Sequence, residues 1–182
     1  NGNTCGGFIG NFNASHAIIR DVVNRGYMDN TASGGIIGTS GNKGSFIDIS
    51  NARNTAVLHG NSAAGIVYSF QGDTLLISKC VNADSLYATS YNGTSGGILG
   101  FGRGSSNNGR VGYDAYIVIE NCTNEGSISG SGAMGGIVGS IDDDKIIPNT
   151  YVKNSKNFAN ISGVYTYGFN GFGVGGIAGY AE

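Results

Sequence analysis

The groups in this 182-residue chain that could carry chemistry are few: three cysteines, two histidines and a thin scatter of acids and bases making up 12% of the residues. Cys5, Cys80 and Cys122 are widely spaced, and His16 and His59 stand alone. No HExxH is present, so the chain lacks the paired histidines and general base of a zinc peptidase. Arg103, Arg110, Asp114 and Glu120 include the residue types of a polysaccharide-lyase site, but the sequence shows no deeper cluster of Lys, Arg and Asp converging on them. Asp142-Asp143-Asp144 could contribute to a cation site. Calcium takes six to eight oxygens at set spacing, and neither an EF-hand nor a GGxGxD pattern is present. The triplet therefore reads as a solvated acidic turn. We expect no catalytic residue, no metal and no cofactor.

The strongest signal is a pentad, Gly135-Gly136-Ile137-Val138-Gly139. It returns as Gly6-Gly7-Phe8-Ile9-Gly10, Gly34-Gly35-Ile36-Ile37-Gly38, Gly96-Gly97-Ile98-Leu99-Gly100 and Gly175-Gly176-Ile177-Ala178-Gly179, with a weaker copy at Ala64-Gly65-Ile66-Val67-Tyr68. The context is not the GxxxxGK or GxGxxG of a phosphate cradle, so the glycines read as corners. Starts at 6, 34, 64, 96, 135 and 175 give periods within the ~20–50 residues of solenoids and related arrays. Inside each period an aliphatic residue is followed three positions later by a small one and two later by Asn: Ile19, Val22, Asn24; Ile49, Ala52, Asn54; Ile77, Cys80, Asn82; Ile119, Cys122, Asn124; Val152, Ser155, Asn157. Four residues beyond each Asn stands Met28, Leu58, Leu86, Ile128 or Ile161.

Three apolar columns per period, separated by Gly and Asn, predict an all-β chain folded as a β-solenoid. It would be parallel β-helix-like, with five to six coils and about three short strands per coil, in one repeat domain over residues 1–182. Residues 17–25 alone would suit one face of a helix, but the sister copies alternate and are β-branched, so strand is expected throughout. Stacked coils bring equivalent positions to ~4.8 Å. Asn24, Asn54, Asn82, Asn124 and Asn157 should then form a ladder in which each amide bonds the next. Insertions at 101–114 and 164–174 should be loops on one face, often the binding face of such arrays.

These repeats resemble the GLUG motif, on Gly97-Ile98-Leu99-Gly100, Gly136-Ile137-Val138-Gly139 and the run from Asn121 to Gly130. The resemblance implies an extracellular or cell-surface setting and a scaffold or adhesin-like role. It does not imply catalysis, because in the metallopeptidases that carry such repeats the chemistry belongs to a separate zinc-binding domain. The third copy is degenerate, and the fourth and fifth are enlarged.

The composition agrees with that setting, since polarity comes from 21 Asn, with Ser, Thr and Gly, rather than from Lys and Glu. A net charge of −2 lacks the basic footprint of a nucleic-acid binder, and no apolar run reaches the ~20 residues of a membrane span. Sequons at Asn13, Asn92, Asn121 and Asn160 are candidate N-glycosylation sites. Cys80 and Cys122 share one column, so stacking brings them into the ~4.4–6.8 Å Cα range of a disulfide, or leaves two buried thiols in a small-residue column. Tyr165, Tyr167, Phe169 and Phe172 could stack on sugars or on another subunit, or form a lid over the solenoid.

The chain opens directly on a repeat, ends within one, and has neither an initiating Met nor a polar cap. This points to an excised piece and to head-to-tail contact with identical subunits or flanking repeats. The expected role is a non-catalytic structural or adhesive module forming a rod or filament, with glycans as a further candidate partner. The alternative is a β-helix that binds or cleaves carbohydrate.

Overall fold

Apolar runs this short, punctuated by Gly and Asn, cannot build long strands, and the chain stacks many short ones instead. The structure is a computed structural model describing residues 4–41, 44–104, 115–141, 149–164 and 173–181. The first coil holds β1 (Thr4–Gly6), β2 (Ile9–Phe12), β3 (His16–Arg20), β4 (Val23–Asn24) and β5 (Met28–Asp29). The second repeats it as β6 (Ala32–Gly34), β7 (Ile37–Ser40), β8 (Phe46–Ser50), β9 (Arg53–Asn54) and β10 (Leu58–Gly60). The third has β11 (Ser62–Ala64), β12 (Val67–Gly72), β13 (Thr74–Ser78), β14 (Val81–Asn82) and β15 (Leu86–Ala88). The fourth has β16 (Thr94–Gly96), β17 (Leu99–Gly104), β18 (Tyr116–Glu120), β19 (Thr123–Asn124) and β20 (Ile128–Ser131). The fifth has β21 (Ala133–Gly135), β22 (Val138–Ile141), β23 (Asn149–Lys153), β24 (Lys156–Asn157) and β25 (Ile161–Val164), and β26 (Val174–Gly175) and β27 (Ala178–Ala181) begin a sixth.

Strands at the same place in successive coils pair in parallel, giving five stacked sheets and a β-solenoid. The register keeps like on like: Asn24 lies beside Asn54, then Asn82, Asn124 and Asn157. The segment that could locally have been helical is strand β3, as the sister copies require. Each coil carries five strand segments where the apolar columns suggested about three. The glycine pentad splits one column into a strand before it and a strand through its end, and the Asn column forms a two-residue strand of its own.

What isolates that two-residue strand is a left-handed corner. Asp21, Asn51, Lys79, Asn121 and Asn154 all have φ between 49° and 55°. Asn and Asp visit this region because their short side chains bond locally, whereas other L-residues carry a penalty there. Lys79 is the exception in the column.

Two apolar clusters fill the coils. The larger gathers Ile36, Ile66, Ile98 and Ile137 with the inward residues of the third sheet, such as Ile49, Ile77 and Ile119. The smaller gathers Met28, Leu58, Leu86 and Ile128 with Ala63 and Met134. Each fully buried Leu or Ile contributes about 1.5–3 kcal/mol.

Replacing Lys79, which is exposed, with Asn should stabilise the fold by about 0.5–1 kcal/mol, because Asn suits the left-handed corner. Urea denaturation of the two proteins would check it; an unchanged or lower midpoint would contradict the strain argument.

Candidate functional site

The polar group that the fold places most deliberately is the asparagine ladder. Asn24 Nδ2 donates to Asn54 Oδ1 at 2.9 Å, Asn54 to Asn82 at 2.9 Å, Asn82 to Asn124 at 2.8 Å and Asn124 to Asn157 at 2.8 Å. Asn54, Asn82 and Asn124 are fully buried. A buried amide has to satisfy more than one hydrogen bond, and the second hydrogen serves the ladder's own turn: Asn54 Nδ2 also reaches Ala56 O at 3.0 Å and Asn82 Nδ2 reaches Asp84 O at 3.0 Å. The return bond, from the Ala56 N–H to Asn54 Oδ1, measures 3.3 Å.

The ladder lies directly against the second glycine of each pentad. A Cβ added at Gly97 would sit 2.5 Å from Asn124 Cγ and 2.1 Å from the Gly136 carbonyl oxygen, and Gly35, Gly65 and Gly136 meet Asn54, Asn82 and Asn157 in the same way. The two most regular sequence signals are therefore the two halves of one contact. Both halves lie where the chain crosses between clusters: Gly65, which meets Asn82, stands between Ala63 and Ile66, and Asn54, which meets Gly35, stands between Ala52 and Ala56.

Cys80 and Cys122 stack in the column of Ala52 and Ser155, both fully buried and both free thiols. Their sulfurs are part of the backbone network. Cys122 Sγ accepts from the Cys80 N–H at 3.4 Å and donates to Glu120 O at 3.3 Å, as Ser155 Oγ accepts from the Cys122 N–H at 3.1 Å. The hydrogen bond with Cys80, together with burial, holds the Cys122 thiol well above its ordinary pKa. Cys5 is half-buried, with Sγ 3.4 Å from Met28 Sδ.

The remaining candidates do not converge. His16 stacks on Phe46 at 4.7 Å in the third sheet, whereas His59 faces Asp29 at 3.5 Å and Tyr87 at 5.7 Å in the fifth. Arg103, on the second sheet, bonds Gln71 at 2.8 Å, and Glu120 belongs to the third. Arg110, Asp114, Asp142 to Asp144, and the aromatics Tyr165, Tyr167, Phe169 and Phe172 lie outside the described residues. Among the described residues no group of three or more His, Cys, Asp or Glu could hold a metal ion. All four sequon asparagines, Asn13, Asn92, Asn121 and Asn160, are exposed, and Asn121 occupies a left-handed corner.

One feature that sequence reasoning missed is a shallow groove of about 240 Å³ on the solvent face of the third sheet, lined by Asp48, Leu76, Ser78, Val118 and Glu120. Its residues differ from coil to coil, so no repeat signal could announce it.

No protein-family model, curated protein or solved structure matches the chain. The functional reading accordingly rests on the chemistry of the solenoid itself.

Gly97→Ala should cost more than about 3 kcal/mol or prevent folding, while Gly176→Ala, whose Cβ would meet nothing within 4 Å, should leave the melting temperature within error. Equal effects at the two positions would rule out the Asn–Gly contact as the cause. Asn82→Asp should destabilise by about 1–3 kcal/mol at neutral pH. Burial raises the pKa of the introduced carboxyl, so its neutral form is favoured in the fold and stability should recover as pH falls. A loss independent of pH would count against it. Thiol titration should give one reactive cysteine, Cys5, in the native protein and three after unfolding without reductant; fewer than three would mean a disulfide.

Proposed function

We propose that this chain is a non-catalytic structural or adhesive repeat module of the cell exterior, a rod segment stacking end to end with further coils of its own kind. The supporting observation is what happens to one core column. Ile36, Ile66, Ile98 and Ile137 are wholly buried, but Phe8 and Ile177, which occupy that column at the two ends, are 49% and 42% exposed. Exposed core positions of this kind gain stability from another coil, in the way that neighbouring repeats stabilise one another in solenoids.

The ladder adds direction. Every inter-coil amide bond runs from the lower-numbered Asn to the higher, leaving an acceptor side at Asn24 and a donor side at Asn157. Stacking is therefore head to tail, with identical subunits or flanking repeats as the partners. The GLUG-like motifs and the scarcity of charge support an extracellular place for it. The exposed sequons suit a glycosylated surface.

Sedimentation velocity over a wide concentration range should show reversible growth into longer rods. The double variant Phe8→Glu, Ile177→Glu, which sets like charges against each other at the junction, should remain a monomer with an unchanged circular dichroism spectrum. A wild-type chain that stays monomeric at the highest concentrations would remove end stacking from the proposal.

A further inference from the structure

Among the described residues, Ser40 Oγ, Ser45 Oγ and Asp73 Oδ1 are buried oxygens without a hydrogen-bond partner. All three belong to one corner, where the chain turns from the second sheet to the third. Ser40 ends β7 and Ser45 immediately precedes β8, so the two flank this corner in the second coil, 2% and 0% exposed. Asp73 takes the place of Ser45 in the third coil, between β12 and β13, and its N–H donates to Ser45 O at 3.3 Å. Ser45 Oγ is turned toward that coil, because a Cβ added at Gly72, the residue before Asp73, would collide with it. The same Cβ would lie 2.9 Å from the Phe70 ring, and Phe70 is the register partner of Ser40.

A buried polar atom is costly unless something satisfies it. Packing alone does not call for these groups: the column of Ser40 is otherwise Phe12, Phe70, Gly102 and Ile141, and that of Ser45 continues through Asp73 to Ala115. The set is oxygen only, one carboxylate and two hydroxyls, and such sets suit hard cations rather than the soft metals that thiolates hold. Water could bond the hydroxyls, but the buried side of a carboxylate also carries charge, and no Lys or Arg among the described residues pairs with Asp73. Magnesium demands near-ideal octahedral geometry, whereas calcium accepts irregular sets completed by carbonyls and water. Asp73 is itself half-buried, which leaves an ion a route from solvent. With a single acid in the set, no cluster of carboxylates announces it in the sequence.

We propose that this corner binds a calcium ion through Asp73 Oδ1, Ser45 Oγ and Ser40 Oγ, tying the second coil to the third on the side of the solenoid away from the asparagine ladder. The site lies within the rod and is independent of end stacking.

The test is calorimetry and thermal melting of the whole chain, stripped with chelator and titrated with calcium chloride, with magnesium chloride and sodium chloride at matched ionic strength as comparisons. Calcium at ten times its Kd should raise the melting temperature by about 3–6 °C, and chelator should reverse the rise. Asp73→Asn and Ser45→Ala should each weaken calcium binding at least about tenfold. Without calcium, Ser45→Ala should melt no lower than the wild type, since it removes a hydroxyl that bonds nothing in the protein. D142N/D143N/D144N, which empties the acidic triplet of charge, and Lys43→Ala, which removes a cation of the same connection, should both bind calcium as the wild type does. Four results would each overturn the assignment: no response to calcium, an equal response to sodium, a response kept in Asp73→Asn, or a response lost in the triple variant. A Lys43→Ala protein destabilised in the absence of calcium would give Asp73 a lysine partner and overturn it as well.

Discussion

The structure depends on one contact: a buried asparagine amide pressed against a glycine that has no side chain. An amide in an apolar interior is tolerable only when its donors and acceptor are matched, and a single coil can match only part of them. The turn after each Asn supplies one partner, and the neighbouring coil supplies the other. Glycine lets the facing chain come close enough to exclude water from the column. Each coil is thus incomplete without the next, and stability accumulates along one dimension.

This contact explains which parts of the fold were legible in the sequence. Positions that touch their own counterparts in adjacent coils must repeat in type, so the aliphatic, small and Asn columns could be read directly. That Asn124 packs on Gly97 could not, because the two signals are separated along the chain by insertions of varying length. The left-handed corner was half visible: Asp21, Asn51, Asn121 and Asn154 share a chemistry that Lys79 breaks. The segmentation into five strands rather than three also needed the corner, which separates the Asn strand from the one before it. The outer face was invisible for the opposite reason. Solvent does not demand that His16, Phe46, Thr74, Tyr116 and Asn149 match, although they form one register column.

The thiols belong to the same logic. Their column must be small, and its side chains accept a backbone N–H from the coil before, a task that oxygen in Ser155 and sulfur in Cys122 both perform. Charge plays a lesser part. Arg20–Asp48 and Arg53–Glu125, each at 3.2 Å, tie coils together at the surface, where such pairs contribute at most about 1 kcal/mol. The interior fixes the shape, and the outside is left free to vary.

Among the described residues the first and second sheets have six strands and the other three have five. The coils consequently climb as a spiral stair and not as a pile of flat discs. Each coil has a single angular setting in which its five-residue strand drops onto that of the coil before; rotated by one sheet, it would lay unequal strands on each other and put its asparagine off the column. The pitch of the winding thus acts as a key, fixing the phase of each coil on the one before as strictly as the ladder fixes its direction.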